Sequence, residues 1–205
     1  MKTATMTTTL KRDHLSFGNM KLPTTTAIFN LCSATDCPSI KLGLCQAFND
    51  KGRCICYALN AERRFPDTVL PYRRRQEKVW DSLSAVDFAA QFMVIVNRRL
   101  TDTTALRFDE SGDFRSQADV DKLSDIAMLL SHHGIVVYGY TARKDLDFSN
   151  VHSNLVINGS GFKVHGEFRM ITKRSDRPKG YGMCCGDCRK CTRCPEGKLT
   201  CNLPH

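Results

Sequence analysis

The distribution of cysteine constrains this chain more than any other feature. Of 205 residues eleven are cysteine, and they fall in two groups: Cys32, Cys37, Cys45, Cys54 and Cys56, then Cys184, Cys185, Cys188, Cys191, Cys194 and Cys201. None lies between Tyr57 and Met183. The middle must therefore fold on an ordinary apolar core, while the two ends carry either metal chemistry or a covalent staple. An odd count fits a complete disulfide framework poorly, and in a reducing compartment clustered cysteines bind metal more often than they pair.

The first ten residues are threonine-rich and contain no apolar signal region. The longest apolar stretch, residues 88–96, is interrupted by Gln91 and falls well short of the roughly 20 residues that span a bilayer. These features point to a cytoplasmic protein without a membrane partner. An apolar content of 41% supplies the core of one ordinary domain. Residues 1–16 read as a flexible N-terminal tail and residues 17–205 as a single α/β domain, with metal-binding cysteine segments at 32–56 and 184–201.

Local pattern supports that class. Thr24 to Leu31 is β-branched and apolar and reads as a strand leading into Cys32. From Val79 to Leu100 the residues Val79, Leu83, Val86, Ala90 and Met93 recur at helical spacing, with Ser84 and Asp87 able to cap a later start. A strand at Ala105 to Phe108, a helix carrying Leu123, Ile126, Ala127 and Leu130 and ending at Gly134, and a strand at Ile135 to Tyr140 complete a β–α–β unit. Short strands follow at Asn154 to Ile157 and Glu167 to Thr172. Such alternation predicts a partial (β/α) barrel or an open, mostly parallel sheet, since a full barrel takes about 250 residues.

In that class, sites gather beyond the carboxyl ends of the strands. Cys32 and Cys37, then Asp109 to Asp113, then Thr141 and Arg143 should share one rim. The candidate ligand-binding residues there are Asp109, Ser111, Gly112, Asp113 and, on the last strand, Tyr140. Asp113 would bond backbone amides or a ligand amine. The competing reading of Ser111-Gly112-Asp113 is a tight turn with a helix cap, and of Tyr140 and Arg143 packing and surface.

A net charge of +9 raises the prospect of an anionic partner. Arg63, Arg64, Arg73, Arg74 and Arg75 follow the first cysteine group, while Lys173, Arg174, Arg177, Lys179, Arg189, Lys190 and Arg193 surround the second. They read as a solvated face, as support for an anionic metal–thiolate centre, or as phosphate contacts of a nucleic-acid-binding regulator. The six histidines show no metal-ligand spacing, and no Walker loop, G-x-S-x-G or G-x-G-x-x-G is present.

The C-terminal run reads Cys185-x2-Cys188-x2-Cys191-x2-Cys194-Pro195, one residue shorter than the bacterial ferredoxin pattern. Its unbroken repeat favours an iron–sulfur cluster over a zinc ribbon, whose cysteine pairs are more widely separated. Zinc is the alternative metal.

Thr35-Asp36-Cys37-Pro38 with Cys45 and Cys56-Tyr57-Ala58, then Ser111-Gly112-Asp113-Phe114, then Cys185, Cys188 and Cys191 together resemble the phage gene product eighty-eight family, over about Leu15 to Cys194. The resemblance implies a phage-encoded iron–sulfur protein acting in the infected host cell. The cysteine loop and Ser-Gly-Asp pattern are also distantly similar to radical S-adenosylmethionine barrels, although their C-x3-C-x2-C signature is absent. The resulting expectation is one or two [4Fe-4S] clusters, a small-molecule or redox partner, and ligands drawn from Cys37, Cys45, Cys56, Cys185, Cys188, Cys191 and Cys194. In it, one metal would pin both chain ends to one rim.

Overall fold

A computed structural model describes residues 9–189 and 192–203. In chain order the elements are β1 (Ser16–Phe17), β2 (Thr26–Phe29), α1 (Pro38–Lys41), α2 (Tyr57–Arg64), α3 (Val69–Ser82), α4 (Ala85–Val96), β3 (Ala105–Phe108), α5 (Gln117–Ser131), β4 (Val136–Thr141), β5 (Leu155–Ser160), β6 (Gly166–Met170), β7 (Gly182–Met183) and β8 (Thr200–Asn202). The strands form one sheet of order β1-β2-β3-β4-β5-β6-β8-β7. The β1–β2 pair is antiparallel and every other pair is parallel. This is the open, mostly parallel α/β sheet that the pattern predicts.

Strand alternation sorts the side chains by face. Ala27, Phe29, Leu106, Phe108, Val137, Leu155 and Ile157 join one apolar cluster with the buried residues of α3, α4 and α5. Its aromatic centre is Phe29, Trp80, Phe88 and Phe108, with ring centroids 5.0 to 6.3 Å apart. Each such side chain contributes about 1.5–3 kcal/mol on burial. On the opposite face Arg107 alternates with Leu106 and Phe108, and Tyr138 and Tyr140 alternate with Val137 and Gly139.

Several boundaries differ from expectation for identifiable reasons. The tail expected over residues 1–16 is packed structure from Leu10 onward. Leu10 and Leu15 are buried in the core, and the Leu10 amide donates to Gln91 Oε1 at 2.7 Å. Two isolated leucines show no periodicity, so the sequence hides them; residues 1–8 lie outside the described ones. The helix expected over Val79 to Leu100 is two helices, because Ser84 accepts from the Asp87 amide at 3.0 Å and restarts the register at α4. The buried face of α4 is consequently Phe88, Ala89, Phe92 and Val96, while Val86 is exposed. Upstream, α3 accommodates Pro71 in its first turn, where no intrahelical amide bond is lost.

The Leu123, Ile126, Ala127 and Leu130 stripe of α5 is fully buried, and Gly134 follows the helix at φ 67. β5 continues past Ile157, where the expected strand ends, through Asn158-Gly159-Ser160. Among the described residues no helix is long and apolar enough to cross a membrane.

Candidate metal centre

The loops beyond β2, β3 and β4 converge, and buried polar bonds hold them together. Asp113 is the hub. Its carboxylate accepts from Ser39 Oγ and Thr141 Oγ1, each at 2.6 Å, and from the Ala142 and Phe114 amides, each at 2.8 Å. Asn30 accepts from the Ser111 amide at 2.7 Å and donates to Gln76 at 2.8 Å. At Gly112, φ is +80°, and a Cβ there would lie 2.5 Å from Cys32 Sγ. The loop thus needs glycine both for its backbone and for the close approach of Cys32.

Asp109 sits in the same cluster at φ 56 and accepts from the Leu31 amide at 3.2 Å, while its buried Oδ2 has no hydrogen-bond partner among the described residues. Burial, then the adjacent negative Asp113, pushes its carboxyl well above the usual range and favours its neutral form. Burial also raises Asp113, against the pull of its four donors. Asp109, Ser111, Gly112 and Asp113 are therefore brought together as expected, with most of their polar atoms engaged in joining loops. Asp113 is not a helix cap: in the first turn of α5 Asp119 takes the Arg115 amide at 2.9 Å. Arg143 is likewise committed, to Phe114 O and the Asp145 carboxylate.

Beside this hub lie Cys37, Cys45 and Cys56. Cys37 immediately precedes α1 and Cys56 immediately precedes α2. The Cys45 amide donates to Ser39 O at 3.0 Å, and the Cys56 amide to Ala47 O at 3.2 Å. Cys37 interacts electrostatically with Cys45, Cys45 with Cys56, and both Cys37 and Cys45 with Asp113. Burial pushes the Cys37 thiol up to about 12 and the Cys45 thiol up to about 11. Both are neutral thiols in the absence of metal, and metal binding would release their protons. As thiols the three are donors of the type that soft metals take. Cys32, with Sγ 3.8 Å from Asp113 O, is a buried packing residue.

Two residues that sequence reasoning missed secure this loop. Glu62 on α2 accepts from the Ala34 and Thr35 amides at 2.7 and 2.8 Å, and its buried partner Arg73 lies 2.8 Å away. Arg73, expected in a basic face, is instead an internal brace. Neither carries a motif; they are legible only as a charged pair eleven residues apart on adjacent helices.

The second group sits in the connection between β7 and β8. Cys201 belongs to β8 and is buried, with Sγ 3.7 Å from Gly182 O. Cys188 and Cys194 act electrostatically on Tyr138, and Cys194 is hydrogen-bonded to the Tyr140 hydroxyl. Cys185 is exposed, and Cys191 lies outside the described residues. Tyr140 therefore belongs with the C-terminal cysteines, its ring edge-on to Phe168 and 5.2 Å from the Arg107 guanidinium. Arg107 is flanked by Tyr57, Tyr138, Tyr140 and Glu110, and its Nε is buried with no partner.

Among the described residues no three Cys, His, Asp or Glu side chains stand at metal-binding spacing. Of the expected ligands, Cys37 and Cys45 lie near Asp113 and Cys188 and Cys194 near Tyr138, while Arg107 is electrostatically linked to Tyr138, Tyr140 and Tyr57, the neighbour of Cys56.

Searches of curated proteins and of solved structures return no match. A family profile, Gene product 88, matches residues 2–178, so it covers the Asp113 hub and the first cysteine group and stops before Cys184. The C-terminal cysteines, counted above among the features of the resemblance, lie beyond the matched span. The chain belongs to the Gene product 88 family of phage proteins.

Proposed function

We propose that this chain is a metal–thiolate protein whose metal is an iron–sulfur cluster of the [4Fe-4S] type, acting in the cytoplasm of the infected host cell in a redox or substrate-activating role. The observation that supports it most is the crossover between β7 and β8. Parallel strands are ordinarily joined by a helix that packs on the sheet. Here the connecting residues 184–199 contain no helix among those described, and they carry Cys184, Cys185, Cys188, Cys191 and Cys194. A connection without an apolar face requires another source of order, and metal–ligand bonds supply folding free energy directly.

Cys37, Cys45 and Cys56 would hold one centre, and Cys185, Cys188, Cys191 and Cys194 would complete it or hold a second. A bound cluster supplies an electron or, where one iron lacks a thiolate, a Lewis-acidic position. Around it, Asp113 and Glu62 fix the loop of the first trio, while Tyr140 donates a hydrogen bond to Cys194. The test is iron, acid-labile sulfide and zinc content, with a visible spectrum, on protein purified without oxygen. Equal iron and sulfide at about four or eight per chain is the expected result. Zinc without sulfide would overturn it and leave a zinc-stapled module. Cys37→Ala/Cys45→Ala/Cys56→Ala and Cys185→Ala/Cys188→Ala/Cys191→Ala, analysed separately, assign the metal to one group or both.

A further inference from the structure

At the β1 edge of the sheet, away from both cysteine groups, is a cavity of about 560 Å³. Its lining includes the cations Lys11, Arg12, Arg98 and Arg99 over an apolar floor containing Leu10 and Val94. Among the described residues none of these four cations forms an ion pair with a carboxylate. Arg12 and Arg99 both lie over the Phe17 ring, at 4.4 and 3.5 Å from its centroid. Arg12 Nη1 donates to Leu15 O and Arg99 Nη2 to Thr24 O, while the buried Arg99 Nε has no hydrogen-bond partner among the described residues. Burial and the neighbouring Arg12 both disfavour the Arg99 cation. The end of α4 favours a cation nearby through its dipole, which accounts for Arg98 or Arg99 but not for Lys11 and Arg12, which arrive from the N-terminal segment.

We propose that this cavity binds the phosphate backbone of a single nucleic-acid strand, with the four cations on phosphates and the apolar floor against sugar or base. Charge complementarity argues for the occupant: four like charges converge with no carboxylate paired to them among the described residues, in a chain of net charge +9. The cations line a half-open concavity, a shape into which a strand fits more readily than a flat lipid surface. A basic groove that follows the backbone is one of the two elements by which proteins track single strands; aromatic stacking, the other, is absent from this lining, so the strand would be held through its phosphates. The arginines beside the cysteines do not form the same device: Arg73 is buried against Glu62, and Arg63 and Arg64 lie near the rings of Phe48 and Phe65. This site rests on residues and a readout independent of the metal.

The experiment is fluorescence anisotropy of a labelled single strand of about 12 nucleotides, as DNA and as RNA, titrated with the full chain at several salt concentrations. Lys11→Glu/Arg98→Glu changes two exposed members of the set, and Arg63→Glu/Arg64→Glu removes the same charge elsewhere. The proposal expects salt-dependent binding. The first variant should bind on the order of tenfold more weakly, with the slope of log affinity against log salt reduced by about 1.4, or roughly 0.7 per lost phosphate contact. The control variant should stay within about twofold of the parent. Should the first variant melt early, Lys11→Gln and Arg98→Gln singly carry the same test. Absent or salt-insensitive binding, equal losses in both variants, full displacement by a mononucleotide, or preference for anionic vesicles over the strand would each overturn it.

Discussion

Replacing Asp113 by alanine removes an acceptor shared by donors from three loops, and the cost follows from its bonding. The Phe114 and Ala142 amides, each 2.8 Å away, are fixed by the backbone and lose their acceptor inside the protein. A buried donor left unsatisfied costs about 1–3 kcal/mol. The Ser39 and Thr141 hydroxyls can rotate, so each forfeits closer to about 1 kcal/mol. Allowing for partial relaxation, the substitution should cost about 3–5 kcal/mol, as removal of one member of a buried charged network generally does. In a chain of this size each kcal/mol lowers the melting temperature by about 2–4 °C, which gives a fall of about 10 °C. Trp80, the single tryptophan, is fully buried and reports unfolding in urea by fluorescence. Asp113→Asn separates charge from shape: its amide hydrogens meet donors already pointing inward, so it should be nearly as damaging as alanine. A loss below about 1 kcal/mol for Asp113→Ala would refute the role of this carboxylate as the joint between the loops.

Other substitutions probe neighbouring parts of the rim. Gly112→Ala should lower stability by about 2–4 kcal/mol in the same urea assay, because a Cβ would sit 2.6 Å from Cys32 O at a positive φ. Arg73→Met should cost about 3–5 kcal/mol by stranding the Glu62 carboxylate, and double replacement with Glu62→Leu should recover part of that loss. Against the cost of burial, Arg73 and the Ala34 and Thr35 amides hold Glu62 below its ordinary 4.5; its contribution is therefore present above pH 4.5 and lost as pH falls through the lower folded value. Asp109 has the opposite sign: raised by burial and by Asp113, it contributes below its ordinary 3.8 and loses that contribution as pH rises through its folded value. Asp109→Asn should therefore be tolerated or stabilising at neutral pH in thermal melts, and a large loss there would show that the ionised form is required.

The fold was legible where periodicity was unambiguous. Leu123, Ile126, Ala127 and Leu130 give the face of α5, and β3 begins and ends where its apolar run does. The restart at Ser84 was visible only as a capping option, because the spacing of Val79, Leu83 and Val86 continues through the break. The rim was legible through topology: sites follow the carboxyl ends of parallel strands, which placed Asp109 to Asp113 with the Cys37 loop. What the sequence concealed is long-range pairing. Glu62 with Arg73, Asn30 with Gln76, and Arg107 among three tyrosines depend on which helix lies against which strand, and no local pattern encodes that. Ligand sets are of the same kind, since spacing along a chain suggests a set without giving the distance between two loops.

The strand order has a consequence for how the molecule is made. From β1 to β6 each strand emerging during synthesis finds its neighbour already in place, so the sheet can grow by addition at one edge. β7 breaks the rule: among the described residues its one strand partner is β8, which comes later and lies between β6 and β7. Until then β7 and the cysteines after it have no strand to hold them, while the Asp113 hub and the first trio, all upstream, are already assembled. The order of the strands thereby lets the loops around Asp113 assemble before β8 has emerged, whereas β7 gains its neighbour only once β8 has docked.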